Sequence, residues 1–140
     1  RWLGLGWRHL ERLGCRLGLR LGHLERFGCR PVDYLEDCGW LGSKTWLAHG
    51  IHFDDGEIAR LGKAGVGVCH CPTSNTVLAS GLCRTRELEA AGVKVGLGVD
   101  GSASNDGSHL LGETRQAMLL ARLAAAGVSI HAVQAELDAS

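Results

Sequence analysis

The stretch V-K-V-G-L-G-V-D-G-S-A-S-N-D, Val93 to Asp106, is the point from which the 140-residue chain becomes readable. It reads as a short buried strand ending on Asp100, a tight polar loop, and then an amphipathic helix from about His109 to Ala126. A carboxylate at the C-terminal tip of a parallel strand is where α/β barrels and doubly wound sheets carry their chemistry. A lone carboxylate in an apolar setting is strongly disfavoured. Asp100 is therefore expected to face a metal ion or a cationic partner.

Upstream, the same grammar repeats. Thr45-Trp46-Leu47-Ala48-His49 is an apolar strand ending on a histidine, and Val66-Gly67-Val68-Cys69-His70-Cys71 is a second, closed by Pro72. Between them Asp54 offers an N-cap with Glu57 three residues on, opening a helix that turns Ile58 and Leu61 inward and stops at Gly65. Pro31 to Cys38 reads as a short helix, with proline in its first turn and Gly39 past its end. Residues 73–81, T-S-N-T-V-L-A-S-G, read as a loop, and a further helix spans about Arg84 to Ala91 before Gly92. Alternation of this kind predicts an α/β fold, its parallel strands joined by right-handed crossovers. Three such strands do not close on themselves, and they leave two unpaired edges and a half-covered face.

The length fits one domain or a piece of one, and 45% hydrophobic residues allow a real core. No apolar run reaches the ~18 residues of a membrane span. The net charge of zero hides an asymmetry: residues 1–30 hold seven Arg and two Glu, whereas the remaining residues are acidic in balance. Residues 3–16 and 17–30 also repeat one another, L-G-L-G-W-R-H-L-E-R-L-G-C-R followed by L-G-L-R-L-G-H-L-E-R-F-G-C-R. Leucines recur there every seven residues, as on a helix seam, but each interspersed glycine costs about 1 kcal/mol in a helix interior. The segment 1–30 is read as a Leu/Gly/Arg-rich repeat, helical or poorly ordered, with His9 and His23 as repeat residues rather than ligands. Residues 31–140 are read as the catalytic portion. The six cysteines match no secreted disulfide scaffold, so reduced thiols and a cytoplasmic location are expected.

The three strands end in polar residues: His49, then His70 with Cys71, then Asp100. Histidine and aspartate at such tips suit zinc ligation or proton transfer, or else a satisfied core histidine and a loop cap. A catalytic zinc generally takes three protein ligands, and the chain contains no H-x-H, H-E-x-x-H or C-x-x-C. Cys69 and Cys71 make a poor chelate, because alternate strand residues share a face and the His70 between them points away. His52, His109 and His131 are read as solvated. Gly96-Leu97-Gly98-Val99-Asp100-Gly101 satisfies the dinucleotide fingerprint G-x-G-x-x-G, but its last glycine does not open a helix. Dinucleotide binding is set aside on that ground. The arginines could draw phosphate by charge, yet aromatic stacking groups are sparse, so neither nucleic acid nor membrane is expected as a partner.

Several blocks in order carry a resemblance: T-W-L-A-H-G-I-H-F, H-C-P-T-S-N-T-V-L-A-S-G and G-V-D-G-S-A-S-N-D, then E-T-R-Q-A-M-L-L-A-R. Over roughly residues 24–127 the chain resembles the C-terminal half of metal-dependent amidohydrolases, nearest to the 8-oxoguanine deaminases among them. The resemblance implies a partial (β/α)8 TIM barrel, its strands matching the sixth, seventh and eighth. It implies a zinc cofactor, with Asp100 as a metal ligand and proton acceptor and His49 polarising the attacking water. Zinc lowers the pKa of bound water toward ~7, which would let hydroxide displace ammonia from a purine-like ring and turn 8-oxoguanine into urate. Ser104 is implied as a substrate contact.

The resemblance also has gaps. The H-x-H of the family's first strand and its fifth-strand histidine with a nearby glutamate have no counterpart, and the Leu/Gly/Arg repeat stands where the fifth strand is expected. The ending V-S-I-H-A-V-Q-A-E-L-D-A-S drifts from the pattern. The expectation is a fragment of a zinc-dependent deaminase acting on a small heterocycle, not catalytic alone and open to homo-oligomerisation in the full-length protein. The alternatives are an amino- or chlorohydrolase of the same superfamily acting on an s-triazine or other heterocycle, and an inert remnant or interaction module.

Overall fold

The computed structural model describes residues 26–127. The Leu/Gly/Arg repeat lies almost wholly outside them, as do His9, His23, His131 and the drifting C-terminal stretch. Helix α1 (Pro31–Asp37) leads to strand β1 (Trp46–Ala48), helix α2 (Asp55–Ala64) and strand β2 (Gly67–His70). Helices α3 (Pro72–Val77) and α4 (Thr85–Ala90), strand β3 (Lys94–Leu97) and helix α5 (Leu110–Ala125) complete the order. The strands form a parallel α/β sheet in the order β1-β2-β3, with Trp46 opposite Gly67 and Ala48 opposite Cys69. The described residues divide into two compact units, one of 26–70 and 83–96, the other of 71–82 and 97–127.

The first unit holds the apolar core. Val32, Ile58, Leu61, Val66, Val68, Leu88 and Val93 are buried together, with Leu47, Phe53 and Val95 packed on them. Full burial of one such aliphatic side chain contributes roughly 1.5–3 kcal/mol. Helix α2 begins where the sequence says it should. Asp54 accepts from the Glu57 amide at 2.8 Å, and the Glu57 carboxylate accepts from the Asp54 amide at 3.0 Å. These bonds satisfy two of the helix's orphan donors. Gly65 closes α2 in the left-handed conformation, at φ +71°, which a residue without Cβ adopts freely.

Two contacts hold the flanks of α2. Arg30 reaches it from the N-terminal side, its guanidinium on Glu57 and 3.1 Å from Asp54. Glu57 is 1% exposed, so this cation offsets part of the desolvation cost of its carboxylate. The hydrogen bond to Glu57 holds the Arg30 guanidinium above its ordinary pKa. At the other end Gly62 meets the residue following α4: a Cβ built on Gly62 would lie 1.9 Å from the Ala91 carbonyl oxygen. Only glycine permits that approach.

Four expectations are corrected. Residues 72–77, read mainly as loop, form helix α3, because burial of Pro72, Ser74 and Asn75 outweighs the weak helix propensity of Ser, Thr and Asn. The strands are shorter than read, and β1 stops before His49, whose φ of +70° leaves the extended region. Strand β3 is not buried: Lys94 and Gly96 are exposed while Val95 and Leu97 are half-buried, as suits a strand at the edge of its sheet. His52, expected in solvent, is half-buried, whereas His109 is exposed and caps α5 by accepting the Gly112 amide on Nδ1 at 3.1 Å.

Candidate functional site

Past the end of β3 the chain turns sharply at Asp100, which sits at φ +62°. Aspartate is one of the few side chains that enters this region at modest cost. Asp100 is exposed, and it meets hydroxyl donors. Ser74 Oγ donates to Asp100 Oδ2 at 2.5 Å, and Ser104 Oγ lies 3.3 Å from the same oxygen. The two serine oxygens are 2.8 Å apart. Hydroxyl groups that donate to a carboxylate form charge-assisted hydrogen bonds, shorter and stronger than neutral ones.

Ser74 is fully buried in α3, a segment with the composition of a loop. Thr73 and Ser74 follow Pro72, whose fixed φ suits the first turn of a helix. The Thr73 amide donates to Glu113 Oε2 at 3.0 Å. Glu113 Oε1 accepts from Asn105 Nδ2 at 2.8 Å, and the same nitrogen donates to the Val99 carbonyl at 2.8 Å. Glu113 is 2% and Asn105 5% exposed, so both lie in a setting where unsatisfied polar groups are costly. Each oxygen of Glu113 and both amide protons of Asn105 are thereby used.

Of the residues singled out from the sequence, the structure brings Asp100 and Ser104 together and adds Ser74 to them. His49 belongs to the other compact unit. It follows β1 directly, half-buried, with its amide donating to the Cys69 carbonyl at 2.8 Å. His70 is buried at the end of β2 and Cys71 at the start of α3. Among the described residues no group of three or more His, Cys, Asp or Glu converges as a metal site. A catalytic zinc generally needs three protein ligands. The described residues thus do not by themselves make a complete zinc site. Ser74, Asn105 and Glu113 were missed as site residues. Their only sequence signal was position within the P-T-S-N, S-N-D and E-T-R blocks.

The profile of the Amidohydrolase family matches residues 22–137. The 8-oxoguanine deaminase of Pseudomonas aeruginosa is 67% identical over 94 residues, covering 67% of this chain and 21% of that protein. A zinc-bound adenosine deaminase from Xanthomonas campestris superposes with a TM-score of 0.76 at 32% identity, over 82% of this chain and 26% of that one. An atrazine chlorohydrolase from Arthrobacter aurescens, complexed with zinc, does so with a TM-score of 0.66 at 37% identity, over 75% of this chain and 22% of that one. The chain spans about a fifth to a quarter of the length of these proteins.

Proposed function

The chain belongs to the amidohydrolase family, and we propose that it is the C-terminal part of the (β/α)8 barrel of a zinc-dependent deaminase, with β1 to β3 as its sixth to eighth strands. The reaction is hydrolytic: water adds at the amine-bearing carbon of a purine-like ring, and ammonia leaves as the ring carbonyl forms. The substrate proposed is 8-oxoguanine and the product urate. The observation that carries this reading is the serine-held carboxylate of Asp100, in a chain 67% identical over 94 residues to an 8-oxoguanine deaminase.

In this proposal Asp100 contributes one zinc ligand and accepts a proton from the attacking water, while His49 steadies the charge that develops on the attacked centre. Ser104, beside Asp100, has a hydroxyl able to turn toward a ring substituent. The remaining zinc ligands are proposed to come from outside the described residues. The similarity to atrazine chlorohydrolase supports a second reading, in which water replaces a chlorine or amine substituent on an s-triazine ring and the substituent leaves as chloride or amine.

Ammonia and urate release from 8-oxoguanine, and chloride release from atrazine, tests both in the full-length protein bearing these residues. Urate formation lost in Asp100→Ala is the expected result. Chloride release without urate would favour the triazine reading, and neither product would sink both. The 140-residue chain alone is expected to hold less than one tightly bound zinc after dialysis. A full equivalent that disappears in Asp100→Ala would show that its ligand set is complete.

A further inference from the structure

Two segments of the second unit, α3 and the loop after β3, place residues in the Asp100 cluster and the adjacent residues in the buried network around Glu113. Ser74 contacts Asp100, and its neighbour Thr73 gives its amide to Glu113 Oε2. Ser104 contacts Asp100, and its neighbour Asn105 gives an amide proton to Glu113 Oε1. Asp100 itself follows Val99, whose carbonyl takes the other Asn105 proton. The buried Glu113 carboxylate thus binds the residue next to each serine of the cluster directly, and the residue before Asp100 through Asn105.

We propose that Glu113 is a positioning residue for Asp100, acting through Thr73 and Asn105 to set the hydroxyl donors against Asp100 Oδ2. The assignment of a reaction role to Asp100 rests on the deaminase reading, whereas the coupling of Glu113 to Asp100 does not. The physical ground is directional. Both bonds to Glu113 are accepted by carboxylate oxygens, and the one from Asn105 is buried and the one from Thr73 partly so, which makes them more exacting in geometry than surface bonds. Their donors lie on two separate segments, α3 and the loop after β3, which share Glu113 and are joined by the serines they carry. Without the carboxylate, two donors lose their acceptor and the segments lose their common anchor. The Ser74 hydroxyl is then no longer held at hydrogen-bonding distance from Asp100.

The test is the side-chain carboxyl 13C resonance of Asp100 in the folded 140-residue chain, assigned by its loss in Asp100→Asn. Ser74→Ala marks where the resonance moves when the serine bond is gone. Glu113→Ala is expected to move it in the same direction, with the helical circular dichroism retained. Val93→Ala, which destabilises the core of the other unit, is expected to leave it in place, and so separates positioning from general loss of stability. If Glu113→Ala does not fold, Glu113→Gln carries the test, since it keeps the side chain's size but replaces one acceptor oxygen by a donor. A resonance unmoved in the folded Glu113 variant, or unmoved in Ser74→Ala, overturns the proposal. The readout needs neither zinc nor turnover. Failure of urate formation in the full-length protein therefore leaves it standing, and its own failure leaves the deaminase reading standing.

Discussion

Gly62→Ala in α2 sets two familiar effects against each other. In an exposed helix interior, replacing glycine by alanine stabilises by about 1 kcal/mol. Here the new Cβ would lie 1.9 Å from the Ala91 carbonyl oxygen and 2.8 Å from its carbon. Ordinary contact begins near 3.4 Å, so α2 and the end of α4 would have to separate by more than an ångström. Both obstacles are backbone atoms, which no rotamer change can move aside. Overpacking of a well-filled interface costs typically 1–3 kcal/mol, occasionally more, and the upper part of that range applies because the separation would reach the neighbouring Leu61 and Leu88, both fully buried. The net expectation is a loss of about 1–2 kcal/mol after the propensity gain. For a domain of this size that lowers Tm by roughly 4–16 °C. Gly56→Ala supplies the control in the same helix: its Cβ would meet only a flexible Asp54 oxygen at 3.4 Å, so it should be neutral or stabilising by up to about 1 kcal/mol. Thermal unfolding followed by helical circular dichroism measures both. If Gly62→Ala melts at or above the unsubstituted chain, the close approach of α2 to Ala91 does not exist as described.

Two further outcomes follow from the charged and thiol groups of the first unit. The hydrogen bond from Arg60, aided by the Arg30 amide, holds Asp33 below its ordinary carboxylate pKa. Its contribution to stability is therefore present above the unfolded value of ~3.9 and lost as pH falls through the lower folded value. Urea midpoints of Asp33→Asn and the unsubstituted chain should differ most near neutrality and converge in acid; a gap that widens in acid would contradict this. Burial, with smaller contributions from Glu87 and Cys69, pushes the Cys83 thiol up to about 12. At pH 8 iodoacetamide, which attacks thiolates, should label the exposed Cys38 well before Cys83, as read by peptide mass spectrometry. Equal labelling rates in the folded chain would refute the burial argument.

The elements legible in the sequence were those whose signals are local. Asp54, Glu57 and Gly65 mark the ends of α2 because capping chemistry acts within one turn, and Ile58 and Leu61 fall inward by periodicity. Helix α3 was not legible. P-T-S-N-T-V has the composition of a loop, and its helix is held by burial and by a bond from Thr73 to Glu113, forty residues away. Asp100 and Ser104 could be paired from the sequence since four residues separate them, but the exposure of Asp100 and its Ser74 partner depend on tertiary packing. Glu113 was invisible for a related reason. A glutamate in the first turn of a helix is ordinary dipole complementarity, and nothing local reveals that this one is buried on Asn105.

The contact between Arg30 and Glu57 bears on where this chain can be cut. By composition Arg30 is the last arginine of the basic repeat, and Pro31 looks like a natural place to start a shorter protein. By structure its side chain serves α2, where it is the cation beside a carboxylate that water hardly reaches. Removing one partner of a buried pair typically costs 3–5 kcal/mol, and somewhat less here because Arg30 is itself partly exposed. A shortened chain beginning at Pro31 would strand Glu57, and its poor folding would be misread as proof that the repeat is needed. One beginning a few residues earlier keeps the arginine, and so asks what the repeat itself contributes.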